Sequence, residues 1–197
     1  MKKIISRLIG QRASTVPPKQ ERRTISNPEI LICSVGVDNE LAGLIAQDWS
    51  IYQGHYKNIA ECQAATVSDL VEFIGDKTFD VVHLLVDIQA DGTIEGVSGI
   101  ELLEYLLKAG AKLIILARSN SYVFNADQLP KVNIVMTLDR RGDKFVNFFK
   151  ELFDLMAKGE SLMMAWVKLA PQARGPWMEK LPSTIVVPGW GDVRFIP

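Results

Sequence analysis

The sequence predicts an α/β domain whose mostly parallel sheet of about six strands carries helices on both faces. Three observations predict it. Short apolar runs such as Ile30–Val35, Val81–Val86 and Leu113–Ala117 alternate with segments of helical periodicity, which is the signature of crossover units joining parallel strands. Two of these runs, FDVVHLLVD (79–87) and KLIILA (112–117), are apolar through most of their length, as strands buried in a sheet are. Both end on polar tips, Asp87-Ile88-Gln89-Ala90-Asp91-Gly92 and Arg118-Ser119-Asn120-Ser121. In an open parallel sheet, ligands and catalytic groups lie beyond the carboxyl ends of the strands.

The elements follow in order. MKKIISRLIG at the start sets Ile4, Ile5, Leu8 and Ile9 at helical spacing, with Lys2, Lys3 and Arg7 elsewhere around the helix. A helix of roughly three turns is marginal alone and forms against a surface. That surface is its own domain, or a partner or anionic membrane face that docks those four apolar residues, with membrane contact through residues 1–12. Ser6 and Arg7 interrupt the apolar run and no small-residue cleavage site follows, so it does not read as a signal peptide. Gln11 to Pro28, with Pro17, Pro18 and Pro28, reads as a linker. The α/β domain then spans residues 29–197.

Ile30–Val35 is the first strand and stops at Gly36; Asn39–Trp49 is helical; Cys62–Ala65 is a short second strand. Ser68 caps a helix through Phe73 that ends near Gly75, and Val81–Val86 is the third strand. Ser98 caps a helix running to Ala109, which Gly110 stops. Leu113–Ala117 and Val132–Leu138 are the fourth and fifth strands. Two helices then follow in succession, Gly142–Lys158 and Ser161–Ala170; the stripe Phe145, Phe148, Phe149, Leu152, Phe153 and Met156 reads as core. Thr184–Val187, a Pro188-Gly189-Trp190-Gly191 turn and Val193–Ile196 read as a hairpin or a kinked last strand at the sheet edge.

Bulk composition narrows the function. The 197 residues, 48% apolar and 23% charged, suit one soluble domain plus a tail. Apolar runs fall far short of the roughly 18 residues of a membrane span, so no transmembrane helix is expected, and the two unpaired cysteines lead to an expected cytoplasmic location. The net charge of −1 divides into +6 over residues 1–28, from seven basic residues and one acidic, and −7 over the remainder. An acidic body argues against nucleic-acid binding by the main domain. Cys33 and Cys62 stand in no CxxC or His pairing, so no zinc site is expected; they read as inert core thiols of a reduced protein, with a disulfide as the alternative.

Ala65-Thr66 before a helix, then Phe79-Asp80-Val81-Val82-His83, then LIILARS, the helix from Gly142 to Lys158, KGESLMMAWVKLA and a last strand near Trp190 together resemble the CHAT family of caspase-like proteins, within the caspase and separase clan. The match spans residues 29–196. The resemblance implies a caspase-like sheet of flavodoxin-like order. In active members a His ending the third strand and a Cys ending the fourth form the peptide-cleaving dyad, the strand reading DVVH-x-x-x-H with the second His catalytic. Here Asp87 stands in that second place and Ser119 in place of the Cys. The resemblance therefore implies a catalytically inactive domain of a prokaryotic cell, acting as a protein-binding or regulatory module without cofactor or metal. His83, Asp87, Arg118, Ser119 and Ser121 are then the remnant of a pocket, and Ile4, Ile5, Leu8 and Ile9 a partner-docking element.

The same residues admit other chemistries. A hydrolase using Ser119 needs an imidazole at hydrogen-bond distance, whereas His83 lies roughly 13 Å back along its strand, inside the sheet layer and bonded to a neighbouring main-chain or hydroxyl group. His55 reads as a surface residue. Asp87 and Asp91 read as turn formers, with a paired-carboxylate metal site as the alternative. A receiver-like domain would make Asp87 a phosphoacceptor before the helix beginning Gly99-Ile100-Glu101, but the first strand ends at Val35-Gly36-Val37-Asp38 without an acidic pair, and Lys131 precedes the fifth strand instead of ending it.

Overall fold

Arg23–Ser26 (β1) and Ile30–Val35 (β2) open the chain in the computed structural model, which describes residues 23–37, 40–117, 122, 124–137, 140, 142–169 and 184–197. Leu41–Tyr52 (α1) leads to Ile59–Ala64 (β3), and Val67–Ile74 (α2) to Val81–Leu85 (β4). A small hairpin of Thr93–Ile94 (β5) and Val97–Ser98 (β6) precedes Gly99–Lys108 (α3). Leu113–Ala117 (β7), a 3-10 turn at Ala126–Gln128, Asn133–Thr137 (β8), Gly142–Ala157 (α4), Leu162–Leu169 (α5), Thr184–Pro188 (β9) and Val193–Ile196 (β10) complete it. None of these helices is long and apolar enough to cross a membrane.

The main sheet has the order β3-β2-β4-β7-β8-β9. Its first five strands are parallel and β9 runs antiparallel on the outer edge of β8. Counting only its parallel strands in chain order gives 2-1-3-4-5, the flavodoxin-like doubly wound order, and an antiparallel edge strand is common on such sheets. β2, β4, β7 and β8 are buried at every position, because helices cover both faces. Ile30, Ile32, Val81, Leu85 and Ile115 face α1, α4 and α5. Leu31, Cys33, Val82, Leu84 and Ile114 face α2 and α3. In α4, Phe145, Phe149, Leu152, Phe153 and Met156 are fully buried at helical spacing, each Phe stabilising by about 1.5–3 kcal/mol.

Several boundaries differ from the sequence reading for local reasons. The α2 cap is Thr66, not Ser68: Thr66 Oγ1 accepts from the Asp69 amide at 3.2 Å and the Asp69 carboxylate accepts from the Thr66 amide at 2.9 Å. This reciprocal box satisfies two otherwise orphaned donors, a contribution of about 1 kcal/mol. Ser98 does cap α3, accepting from Glu101. α1 runs on to Tyr52, three residues past Trp49, and the second strand of the sheet begins at Ile59, before Cys62.

The larger corrections concern the two ends of the domain. Arg23–Ser26, expected inside the linker, pairs in parallel with Val193–Ile196. The last segment is therefore neither a hairpin with β9 nor a continuation of it. Gly189 explains the departure: a Cβ there would stand 2.4 Å from the Val132 carbonyl oxygen, so only glycine lets the turn press onto the start of β8. The Trp190 amide then donates to Asn133 Oδ1 at 3.2 Å. Beyond it, Asp192 accepts from the Met163 amide in the first turn of α5, and Val193 and Phe195 enter the core beside α4.

Candidate functional site

The strands expected to present the site are neighbours with their ends together. Leu85 is in register with Ala117, and the Val86 amide donates to the Ala117 carbonyl at 2.9 Å. Asp87 follows at the carboxyl edge, half-buried, with buried Ile88 anchoring the loop beyond it. Asp91 shapes a turn by accepting from the Thr93 hydroxyl at 2.7 Å and the Thr93 amide at 3.0 Å. Those two bonds hold its carboxyl below the usual range. Arg118, Ser119 and Ser121, and the docking residues Ile4, Ile5, Leu8 and Ile9, lie outside the described residues, as does Asp38.

His83 is not a pocket residue. It sits in mid-strand on β4, on the same face as Val81 and Leu85, and is 0% exposed. The rings of Phe145 and Phe149 stand 5.7 and 6.3 Å from its own. Its Nδ1 is 2.8 Å from the Tyr52 hydroxyl, so a hydroxyl partner inside the sheet layer is what the structure provides. Its Nε2 lies 3.2 Å from Asp48 Oδ2, within ion-pair range but off the line of a directed hydrogen bond.

Asp48 is the centre of this cluster. It is 0% exposed on α1, one turn before Tyr52. Arg140, whose side chain is 3% exposed, enters from beyond the end of β8 and places Nη2 2.6 Å from Asp48 Oδ1 and Nε 3.3 Å from Oδ2. Nη2 also donates to Gln47 Oε1 at 3.1 Å, and the guanidinium carbon stands 5.1 Å above the Phe145 ring. Burial alone would push the Asp48 carboxyl up; its contacts with His83 and then with the Arg140 guanidinium outweigh it and hold the carboxyl below its ordinary value. Burial, with the charge of Asp48, pushes the Tyr52 phenol well up.

The proton arrangement follows from those two directions. An ionised Asp48 only accepts, so the hydrogen between it and the imidazole sits on His83 Nε2. A protonated Tyr52 donates to His83 Nδ1. The result is one contiguous polar cluster, with Tyr52 bonded to His83 and both His83 and Arg140 set against Asp48. It is sealed under α1 and α4, and it ties three elements together; no substrate reaches the imidazole while that layer is in place.

The chain's other His and both of its Cys are also described residues. His55 lies past the end of α1, where its Nε2 is 3.3 Å from Asp154 Oδ1 and it borders a groove of about 350 Å³ with Ser50, Gln53 and Lys150. That is the amino-end side of the sheet, opposite Asp87. Cys33 and Cys62 face α2 and α3, across the sheet from His83. No His, Cys, Asp or Glu trio gathers for a metal among the described residues.

Asp48 and Arg140 escaped the sequence reading. A signal existed for Asp48: with Ile45 and Tyr52 it occupies i, i+3 and i+7 on the apolar stripe of its helix, where an acid needs a partner. Nothing local marks Arg140. No protein-family model matches the chain, and no curated protein matches it.

Proposed function

We propose that this protein is a catalytically inactive caspase-like domain, similar to the CHAT family, that works as a protein-binding or regulatory module. One observation carries the reading: the sheet separates every thiol of the chain from every imidazole. A cysteine peptidase needs the two within hydrogen-bond distance. Asp87 at the carboxyl edge, where the resemblance puts the catalytic His, fits the same reading. So does the burial of His83, which keeps its imidazole away from solvent. The acidic body and basic tail offer two surfaces of opposite charge to partners.

The test is covalent labelling of the full chain with a fluorophosphonate and with an acyloxymethyl ketone. Intact mass is expected to be unchanged. An adduct that disappears in Ser119→Ala would establish a working hydrolase and end the proposal.

A second reading, a receiver-like switch, is favoured by Asp87 standing just past the third parallel strand. Among the described residues just after β8, the cation Arg140 is directed into the core toward Asp48, which weighs against it. Phosphate uptake from acetyl phosphate, lost in Asp87→Asn, would decide in its favour.

A further inference from the structure

We propose that Cys33 and Cys62 form a reversible disulfide, a redox-sensitive clasp between β2 and the edge strand β3. The two are register partners on adjacent parallel strands, both free thiols, and both in the core beneath α2 and α3. Strands about 4.8 Å apart hold the two Cα atoms inside the range of roughly 4.4–6.8 Å that disulfides span. Directly paired side chains on parallel strands project side by side, so their Cβ atoms keep about the same spacing, a few tenths of an ångström beyond the usual upper limit of about 4.5 Å. The bond closes with a small shift and carries strain, which is the property of labile rather than permanent disulfides.

Access is asymmetric. Cys33 is 0% exposed, whereas Cys62, on the edge strand, is 9% exposed. The Cys33 thiol donates to the Ser34 carbonyl at 3.2 Å, and the interaction of Cys62 with the neighbouring Cys33, against burial and with help from the Lys77 charge, makes Cys62 the more acidic of the two. Oxidation therefore starts at Cys62. With a peroxide, the Cys62 thiolate displaces hydroxide from the O–O bond and becomes a sulfenic acid, the hydroxide taking the thiol's proton as water. The Cys33 sulfur then attacks the Cys62 sulfur; the S–O bond breaks, and the hydroxyl leaves with the Cys33 proton as a second water. Two thiols give up two electrons and hydrogen peroxide accepts them. With a low-molecular-weight disulfide such as oxidised glutathione, the same two electrons pass through a mixed disulfide and two glutathione thiols are released. The clasp ties both ends of the segment that holds α1, and with it Asp48 and Tyr52.

The experiment equilibrates the full chain in mixtures of reduced and oxidised glutathione, then alkylates it under denaturing conditions for mass spectrometry. At oxidising ratios both thiols are expected to disappear together, with loss of two hydrogens and a linked Cys33–Cys62 peptide pair after digestion. Excess reduced glutathione is expected to return both. Cys33→Ser is expected to leave Cys62 held as a mixed disulfide, and Cys62→Ser to leave Cys33 unmodified. In the wild-type chain, two thiols that persist at every ratio, a mixed disulfide on Cys62 with no cross-link, or a cross-link that survives excess reduced glutathione would each overturn the proposal.

Discussion

Arg140 holds both carboxylate oxygens of Asp48 from a position 92 residues further along the chain. The guanidinium comes from the segment after β8 and the carboxylate from the middle of α1, so one ion pair fastens the sheet's carboxyl edge to the helix covering it. Both charges are buried, and each depends on the other to offset its desolvation. Asp48→Asn and Arg140→Met are each expected to lower stability by about 3–5 kcal/mol, since each leaves an uncompensated buried group. The double variant is expected to cost clearly less than the two together. Urea unfolding of all four proteins measures the coupling, and simple additivity would mean that the pair does not act as one unit.

Acid should loosen the same contact. The folded Asp48 carboxyl titrates below its usual value of 3.8, so below that pH the unfolded chain binds a proton that the folded chain still refuses. Stability from this group is complete above about pH 4 and is lost as pH falls through the lower folded value. Chemical denaturation at intervals from pH 6 to the acid limit is expected to give a steeper decline for wild type than for Asp48→Asn. Parallel curves would remove the carboxylate from the explanation.

Tyr52→Phe deletes the donor to His83 Nδ1 without changing the ring. A buried acceptor then lacks its partner, at a cost of about 1–3 kcal/mol, and Tm is expected to fall by roughly 2–4 °C for each kcal/mol. Calorimetry with no measurable shift would mean that the 2.8 Å contact contributes nothing.

Gly189→Ala tests the turn that sends the chain from β9 to β10. The added methyl would meet main-chain atoms of Val132, which cannot swing aside as a side chain would. A loss of about 1–3 kcal/mol is expected from such overpacking. A neutral result in guanidinium unfolding would show that the turn can lift away from β8 freely.

The place where the tail can be cut follows from β1. Removing residues 1–22 is expected to leave Tm unchanged and to weaken binding to anionic vesicles, because it takes six of the tail's seven basic residues and the apolar set Ile4, Ile5, Leu8 and Ile9. Removing residues 1–28 also strips the partner of β10, and is expected to lower Tm as well. Equal Tm values for the two truncations would deny β1 a part in stability, and unchanged vesicle binding would deny the tail its docking role.

Local chemistry was enough for much of the framework. Leu113–Ala117 is a strand because five consecutive apolar residues stop at polar neighbours, and α3 starts at Ser98 because a hydroxyl there can meet the Glu101 amide. The stripe from Phe145 to Met156 declared its own buried face through its spacing, and the apolar run Val81–Leu85 placed His83 inside the sheet layer. Each of these depends on residues only a few positions apart. The Thr66 box was as local, yet Ser68 competed for it, and only the backbone at Thr66, extended where the helix begins, separates the two.

By itself the sequence determined the alternation of strands and helices, the burial of His83 within the sheet layer and the lack of any Cys or His in the segments 87–92 and 118–121. Tertiary structure alone decided that Asp48, Tyr52 and Arg140 surround that histidine, that β10 joins β1, and that Cys33 lies against Cys62. The reason is physical: periodicity reports how much water a residue will see, whereas a buried charge or an exposed strand edge finds its partner through the path of the whole chain.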